Sequence, residues 1–293
     1  MSAPAPPRPS FPLHRIEEPE TIDDVIRTID DIIGWAIKAE SPVGYFAVLY
    51  RRCTLAIREA INENVFDDGH RMEELDVAFA RRYFNALNAY FHPAEYEGLT
   101  LPWAVAFVGD EDDQAIILQH MLAGLNAHIT FDLGLALLAI AADSLDTLTN
   151  DYNRVNVILC AQIPGIVKVV EQLSPDLRLS GWLVPDEEGI LKDALTKLRR
   201  GAWLFAIYTA LHPQNAWPKR LHQEAWTAAL SSWYLQPSEG WTGLPRLIRA
   251  IAQHESHDVA GNIRALDAIT RTPEKLDMTH LRAGEVRSRE NEL

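Results

Sequence analysis

Apolar positions in this chain recur every three to four residues almost from end to end, and runs that alternate with a period of two are scarce. The pattern predicts an all-α protein. Ile22, Ile26, Ile29, Ile33 and Ile37 form the buried stripe of a first helix in "PETIDDVIRTIDDIIGWAIKA". Thr21 or Asp23 stands at its N-cap, where a side-chain oxygen satisfies free N–H groups and early acids meet the positive end of the helix dipole. "VGYFAVLYRRCTLAIREAINE" and "RMEELDVAFARRYFNALNAYF" read as the next two helices, divided by the turn "VFDDGH" at Val65 to His70. "HPAEYEGLTLPW" reads as a loop.

The longest apolar stretch, Ile116 to Ala142, is predicted as one buried central helix, with the acidic run "GDEDDQ" from Gly109 to Gln114 as its N-terminal cap. It is long enough to cross a bilayer, but His120, His128 and Asp132 within it would be costly in lipid, so a core helix is expected and not a membrane span. A further helix starts near Asn150 and is ended or kinked by Pro164. "DEEGILKDALTKLRRGAWLFAIYTALH", "PKRLHQEAWTAALSSWYL" and "PRLIRAIAQHESHDVAGNIRALDAI" each predict one more helix. With no internal repeat and no Gly/Ser-rich linker, a single-domain multi-helix bundle is expected over residues 20–270. A disordered Pro-rich lead at 1–19 and a disordered tail at 282–293 are expected to flank it.

Composition agrees with this: 47% of the 293 residues are hydrophobic and 23% charged, the balance of an ordinary globular chain. The net charge of -14 argues against nucleic acid and anionic membrane surfaces, which need clustered Lys and Arg. A small phosphorylated substrate stays open, because net charge describes the far field and not a pocket. Cys53 and Cys160 lie in apolar surroundings and read as buried free thiols; the lead "MSAPAPPRPSFP" has no apolar signal region, so a cytoplasmic location is expected.

Candidate chemistry concentrates in "QHMLAGLNAHITFDLGLALLAIAAD". On an α-helix His120, Gly124, His128 and Asp132 share an arc roughly 120° wide, while Gln119, Asn126 and Thr130 point the other way. Gly124 leaves space for close packing or for a ligand. His128 and Asp132, four apart, are placed to share a hydrogen bond or a metal. A buried Asp132 needs a partner, which is His128, an arginine such as Arg81, Arg82 or Arg154, or a bound cation. Asp151 and Asn156 open the next helix and are candidates to complete a metal set with His128 and Asp132. The bland alternative is a structural His–Asp pair that fixes helix register.

Elsewhere the signals are weaker. "HESHD" at His254 to Asp258 has His-x-x-His spacing and reads as a polar helix surface. Trp203, Trp226, Trp233 and Trp241 with Phe205 and Tyr208 make the second half aromatic; they fill a core or wall a cavity suited to an apolar or isoprenoid ligand. Magnesium motifs of a terpene cyclase are out of register, and no Gly-x-Ser-x-Gly elbow is present.

"GLNAHITFDL", with "FDDGHRMEELDVAFARRYFNAL" upstream and "DYNRVNVIL" downstream, resembles a bacterial and fungal family of unknown function with an Asn-Ala-His-Ile-x-x-Asp-Leu core. The resemblance covers about Ile22 to Ile269 and implies an architecture without a reaction. A more distant similarity is to the all-α zinc-dependent phospholipase C and nuclease group, in which a Gly-x-x-Ala-His-x-x-x-Asp helix supplies two metal ligands. It implies that role for His128 and Asp132, although the further histidine of that group is absent between Leu133 and Ala142.

Two functions are therefore expected. In the first, a small-molecule enzyme uses His128 and Asp132, assisted by His120 and Asn126, either as an acid/base pair or, with Asp151 and Asn156, around zinc, manganese or iron. Metal-assisted hydrolysis of a phosphoester is the reaction this implies. In the second, a metal-free helical protein binds or cyclises an apolar ligand in an aromatic cavity, and the His and Asp form a core network.

Overall fold

The computed structural model describes residues 11–109, 115–180, 186–238, 240 and 243–276. Among these every long element is a helix and no strand occurs. In chain order they are α1 (Ile22–Ala39), α2 (Val43–Asn62), α3 (Gly69–Phe91), α4 (Leu101–Gly109), α5 (Ile117–Asn126), α6 (Leu133–Ala141), α7 (Thr149–Leu173), α8 (Pro175–Ser180), α9 (Glu187–Leu211), α10 (Ala216–Leu235), α11 (Leu244–His254) and α12 (Val259–Thr270). The fold is all-α, as the periodicity predicts.

A π-helical turn, Ala127–Asp132, joins α5 to α6 without a break, so Ile117 to Ala141 is one rod. α2, α3, α4, α9 and α10 pack around that rod. This rod, and the stretch Leu145–Leu173 that ends in α7, are long and apolar enough to cross a membrane; 72% of the rod's most apolar window is buried inside the protein, against 33% for the other. The rod is therefore a core element.

Local chemistry accounts for several helix starts. Thr21 caps α1 through a reciprocal box with Asp24, and Asp68 caps α3 by accepting from the Arg71 N–H at 3.0 Å. Ile22, Val25, Ile26, Ile29, Ile32 and Ile33 are buried along α1, with Ile37 half-buried beside them. At the other end of the chain two buried arginines of α2 hold the last elements. Arg51 pairs with Asp267 at 2.6 Å and Asp30 at 2.7 Å, while Arg52 donates to the carbonyls of Ile269 and Thr272.

Four expectations need correction or limits. The segment expected as a loop up to Trp103 turns helical at Leu101, because Pro102 falls in the first turn, where no N–H is needed, and Glu224 accepts from the Leu101 N–H at 2.9 Å. Of the two outcomes expected at Pro164, an end or a kink, the first is overturned: α7 continues to Leu173, and the one lost hydrogen bond is outweighed by packing against α2, α9 and α12. The last predicted helix is two, since Asp258 caps a new helix by accepting from Gly261 N–H, and Glu255 turns inward. Asp110 to Gln114, expected to cap the central helix, lie outside the described residues. What does cap it is Glu255, whose carboxylate accepts from the Ile117 N–H at 2.8 Å and from the Ser174 hydroxyl. Its desolvation there raises its pKa.

Candidate functional site

His128 and Asp132 both lie in the π turn, where the Leu133 N–H reaches back five residues to the His128 carbonyl. They are 2% and 1% exposed, so each polar atom must be matched within the protein. Asp132 Oδ1 accepts from Arg82 Nε of α3 at 3.1 Å, and Oδ2 accepts from Trp103 Nε1 of α4 at 2.7 Å and from His128 Nδ1 at 3.2 Å. A carboxylate only accepts, so the His128 proton sits on Nδ1 and the Nε2 lone pair is free. Nε2 has no partner.

The imidazole is walled by aromatic rings. Phe79 stacks on it at 3.5 Å, Tyr50 meets it edge-on at 4.7 Å, and Phe46 and Trp103 stand at 5.7 and 6.0 Å. Burial among these rings lowers the His128 pKa against the opposing pull of Asp132, which leaves the ring neutral at pH 7. Gly124 serves this packing: a Cβ there would stand 2.7 Å from Phe46 Cγ, so the space the glycine leaves is filled by a ring and not by a ligand.

His128 faces a chamber of about 70 Å³ between α2, α3, the π turn, α7 and α9, lined also by Tyr50, Cys53, Thr54, Asp76, Phe79 and Arg199. Desolvation dominates its titratable groups. The half-buried Asp76 is pushed up to about 7, the Tyr50 phenol goes well above its usual value, and the Cys53 thiol rises to about 12. Cys53 and Cys160 are free, half-buried thiols, and the raised pKa of Cys53 keeps it in the thiol form at neutral pH.

Leu49, Cys53, Leu125, Ile129 and Leu159 also line a second cavity of about 330 Å³. Its walls are mostly Leu, Ile and Val side chains of α5, α7 and α9, with Glu171 and Tyr234 also in the lining, and it reaches the surface beside Ile190, which is 55% exposed. The large cavity is therefore aliphatic, where an aromatic one was expected. Of the second-half aromatics, Trp226 and Tyr208 are exposed, Phe205 packs against Gly134, Trp203 packs on Tyr152 at 4.6 Å, and Trp241 lies outside the described residues.

The other expected site residues lie away from the chamber. Asn126 donates to the Thr227 carbonyl and Ser231 hydroxyl, both at 2.8 Å, and accepts from Thr130 at 2.7 Å. His120 is buried near Tyr45, one turn into α5 and beside Glu255. Asp151 accepts from the N–H groups of Asp67 and Asp68 and pairs with Arg154 at 2.6 Å, which pins the turn before α3. Asn156 accepts from Arg199. Arg81 is spent on the Pro19 carbonyl. A divalent metal does not fit this donor set: the Asp132 oxygens are already held by Arg82, Trp103 and His128, and Asp151 and Asn156 are engaged elsewhere. Among the described residues no group of three or more His, Cys, Asp or Glu side chains is placed to hold a metal.

Asp76, Tyr50, Arg82 and Trp103 complete the centre. Asp76 had a legible signal, since it interrupts the apolar stripe Met72, Leu75, Phe79, Tyr83 of α3.

An all-α bundle built on a rod with a buried His–Asp–Arg–Trp centre and an adjoining aliphatic cavity defines the class. The model of a family of unknown function, DUF5995, matches residues 22–237, and the chain belongs to that family. No curated protein and no solved structure matches it.

Proposed function

We propose that the protein binds an apolar small molecule without a metal, its body in the aliphatic cavity and its polar end at the chamber of His128. The observation that carries this is the shared wall, where Leu49, Leu125, Ile129 and Leu159 face both spaces. A cavity of about 150 Å³ lined by Leu, Ile and Phe binds benzene, so 330 Å³ together with the adjoining 70 Å³ chamber has room for roughly sixteen carbon atoms. Apolar walls reward such a body at about 25 cal/mol per Å² of surface removed from water. The neutral fluorophore N-phenyl-1-naphthylamine is expected to bind saturably at one per chain, and Ile163→Trp, which fills the cavity, is expected to abolish the signal. Non-saturating fluorescence, or equal binding by the variant, sinks this reading.

A second reading is favoured by the bare Nε2 of His128. An imidazole fixed by Asp132 in its Nδ1–H tautomer, and neutral at pH 7, is a general base for a proton presented from the chamber. In this reading the bound molecule is a substrate and Asp132 is a positioning residue.

A further inference from the structure

Three buried polar atoms lack a partner around one small space: Tyr50 Oη of α2, Asp76 Oδ2 of α3 and His128 Nε2 of the π turn. All three side chains line the 70 Å³ chamber. A buried polar atom left bare is a direct loss of stability, and three on side chains that line one space are the mark of a group to be received there. We propose that the chamber is a hydroxyl-recognition site, which takes the –OH head of an aliphatic alcohol whose carbon body lies in the adjoining cavity. The proposal rests on the apolar-ligand reading above and adds the class of head group.

The choice of a hydroxyl follows from donors and acceptors. His128 Nε2 can only accept, because Nδ1 keeps its proton for Asp132. The head must therefore bring a donor. Tyr50 offers an O–H, and Asp76, whose pKa lies near 7, offers an O–H or an oxygen as required. A group that both donates and accepts completes the set. A carboxylate head brings no donor for Nε2, and the chamber's cation is already committed: Arg199 lies 4.2 Å from the Tyr152 ring and donates to Asn156 and the Tyr152 carbonyl. An ammonium head has donors but nothing to accept the Tyr50 proton.

The test is displacement of N-phenyl-1-naphthylamine from the full chain at pH 7 by decan-1-ol, methyl nonyl ether, decanoate and decylammonium. Decan-1-ol is expected to compete at least tenfold better than the ether, which matches it in size and lacks the donor. In the double variant Tyr50→Phe, Asp76→Leu the preference is expected to shrink to within twofold, with a melting temperature no lower than that of the wild type, because the change at Asp76 removes a carboxyl whose charged form burial disfavours. Equal competition by alcohol and ether in the wild type overturns the proposal while leaving the apolar cavity standing. So does a preference for either ion, or an alcohol preference that survives in the double variant. Failure of the probe to bind, or of all four ligands to displace it, overturns the cavity reading and this one with it.

Discussion

The central rod is polar on two sides, and the two sides are finished differently. Toward α10, Gln119 donates to the carbonyls of Tyr234 and Leu235 at 2.7 and 2.9 Å, Asn126 closes on Thr227, Ser231 and Thr130, and Gln223 donates to the Thr130 carbonyl at 2.9 Å. Toward α2 and α3, Asp132 is satisfied three times over, yet His128 Nε2 and two atoms of side chains that line the same chamber, Tyr50 Oη and Asp76 Oδ2, are left bare. Polar groups that only fix register are completed by the chain itself, because any remainder is a direct loss of stability. Bare atoms on three side chains that line one chamber, set against a seam with α10 whose polar groups are paired, single out the chamber as the face where something else is meant to bind.

Removing Asp132 should break this contrast most severely. Asp132→Ala strands the Arg82 guanidinium and the N–H groups of Trp103 and His128, and a loss of about 3–5 kcal/mol is expected in urea unfolding. A loss below 1 kcal/mol would mean that the centre is solvated and not a closed pair. Asn126→Ala tests the other side: it opens the seam with α10, and about 2–3 kcal/mol should be lost. Binding of the naphthylamine probe at a temperature where the variant is folded should stay as in the wild type. If affinity drops in parallel, the two faces are one coupled network.

The smallest effect sharpens the contrast through pH. Asp76 has a folded pKa of about 7, above that of the unfolded chain, so between those values the native state holds more protons. Its contribution to stability therefore falls as pH rises from about 4 to 7 and is flat above. At about 1.4 kcal/mol per pKa unit the effect on a half-buried carboxyl is on the order of 2 kcal/mol after allowance for solvent screening. Asp76→Asn is expected to be more stable than the wild type at pH 8 and equal to it near pH 3, as read from melting temperatures across that range. A wild-type melting temperature that matches the variant's at every pH would place Asp76 in open solvent.

Much of this arrangement is legible in residue order, for reasons that differ from element to element. α1, α2, α3, α9 and α10 follow from apolar spacing, with cap residues at α1, α3 and α9, both local. The adjacency of His128 and Asp132 is equally local, since four residues make one helical turn. α4 was missed because "LPWAVAFVG" is apolar on all sides and has no period to read. The split at Glu255 was missed because its carboxylate leaves the surface to cap a helix 138 residues away in sequence.

By itself, then, the sequence determined an all-α chain, most of its helices, a buried rod and the His–Asp pair upon it, all from interactions that reach no further than one turn. Tertiary structure alone decided what those groups became. Arg82 and Trp103, 50 and 29 residues from Asp132, close around it and exclude a metal from its oxygens. Asp76 and Tyr50 are brought into the chamber that His128 lines, and side chains drawn mainly from α5, α7 and α9 line the cavity beside it. Which long-range partners meet is set by how helix faces pack as rigid bodies, and that choice has no signature within a window of four residues.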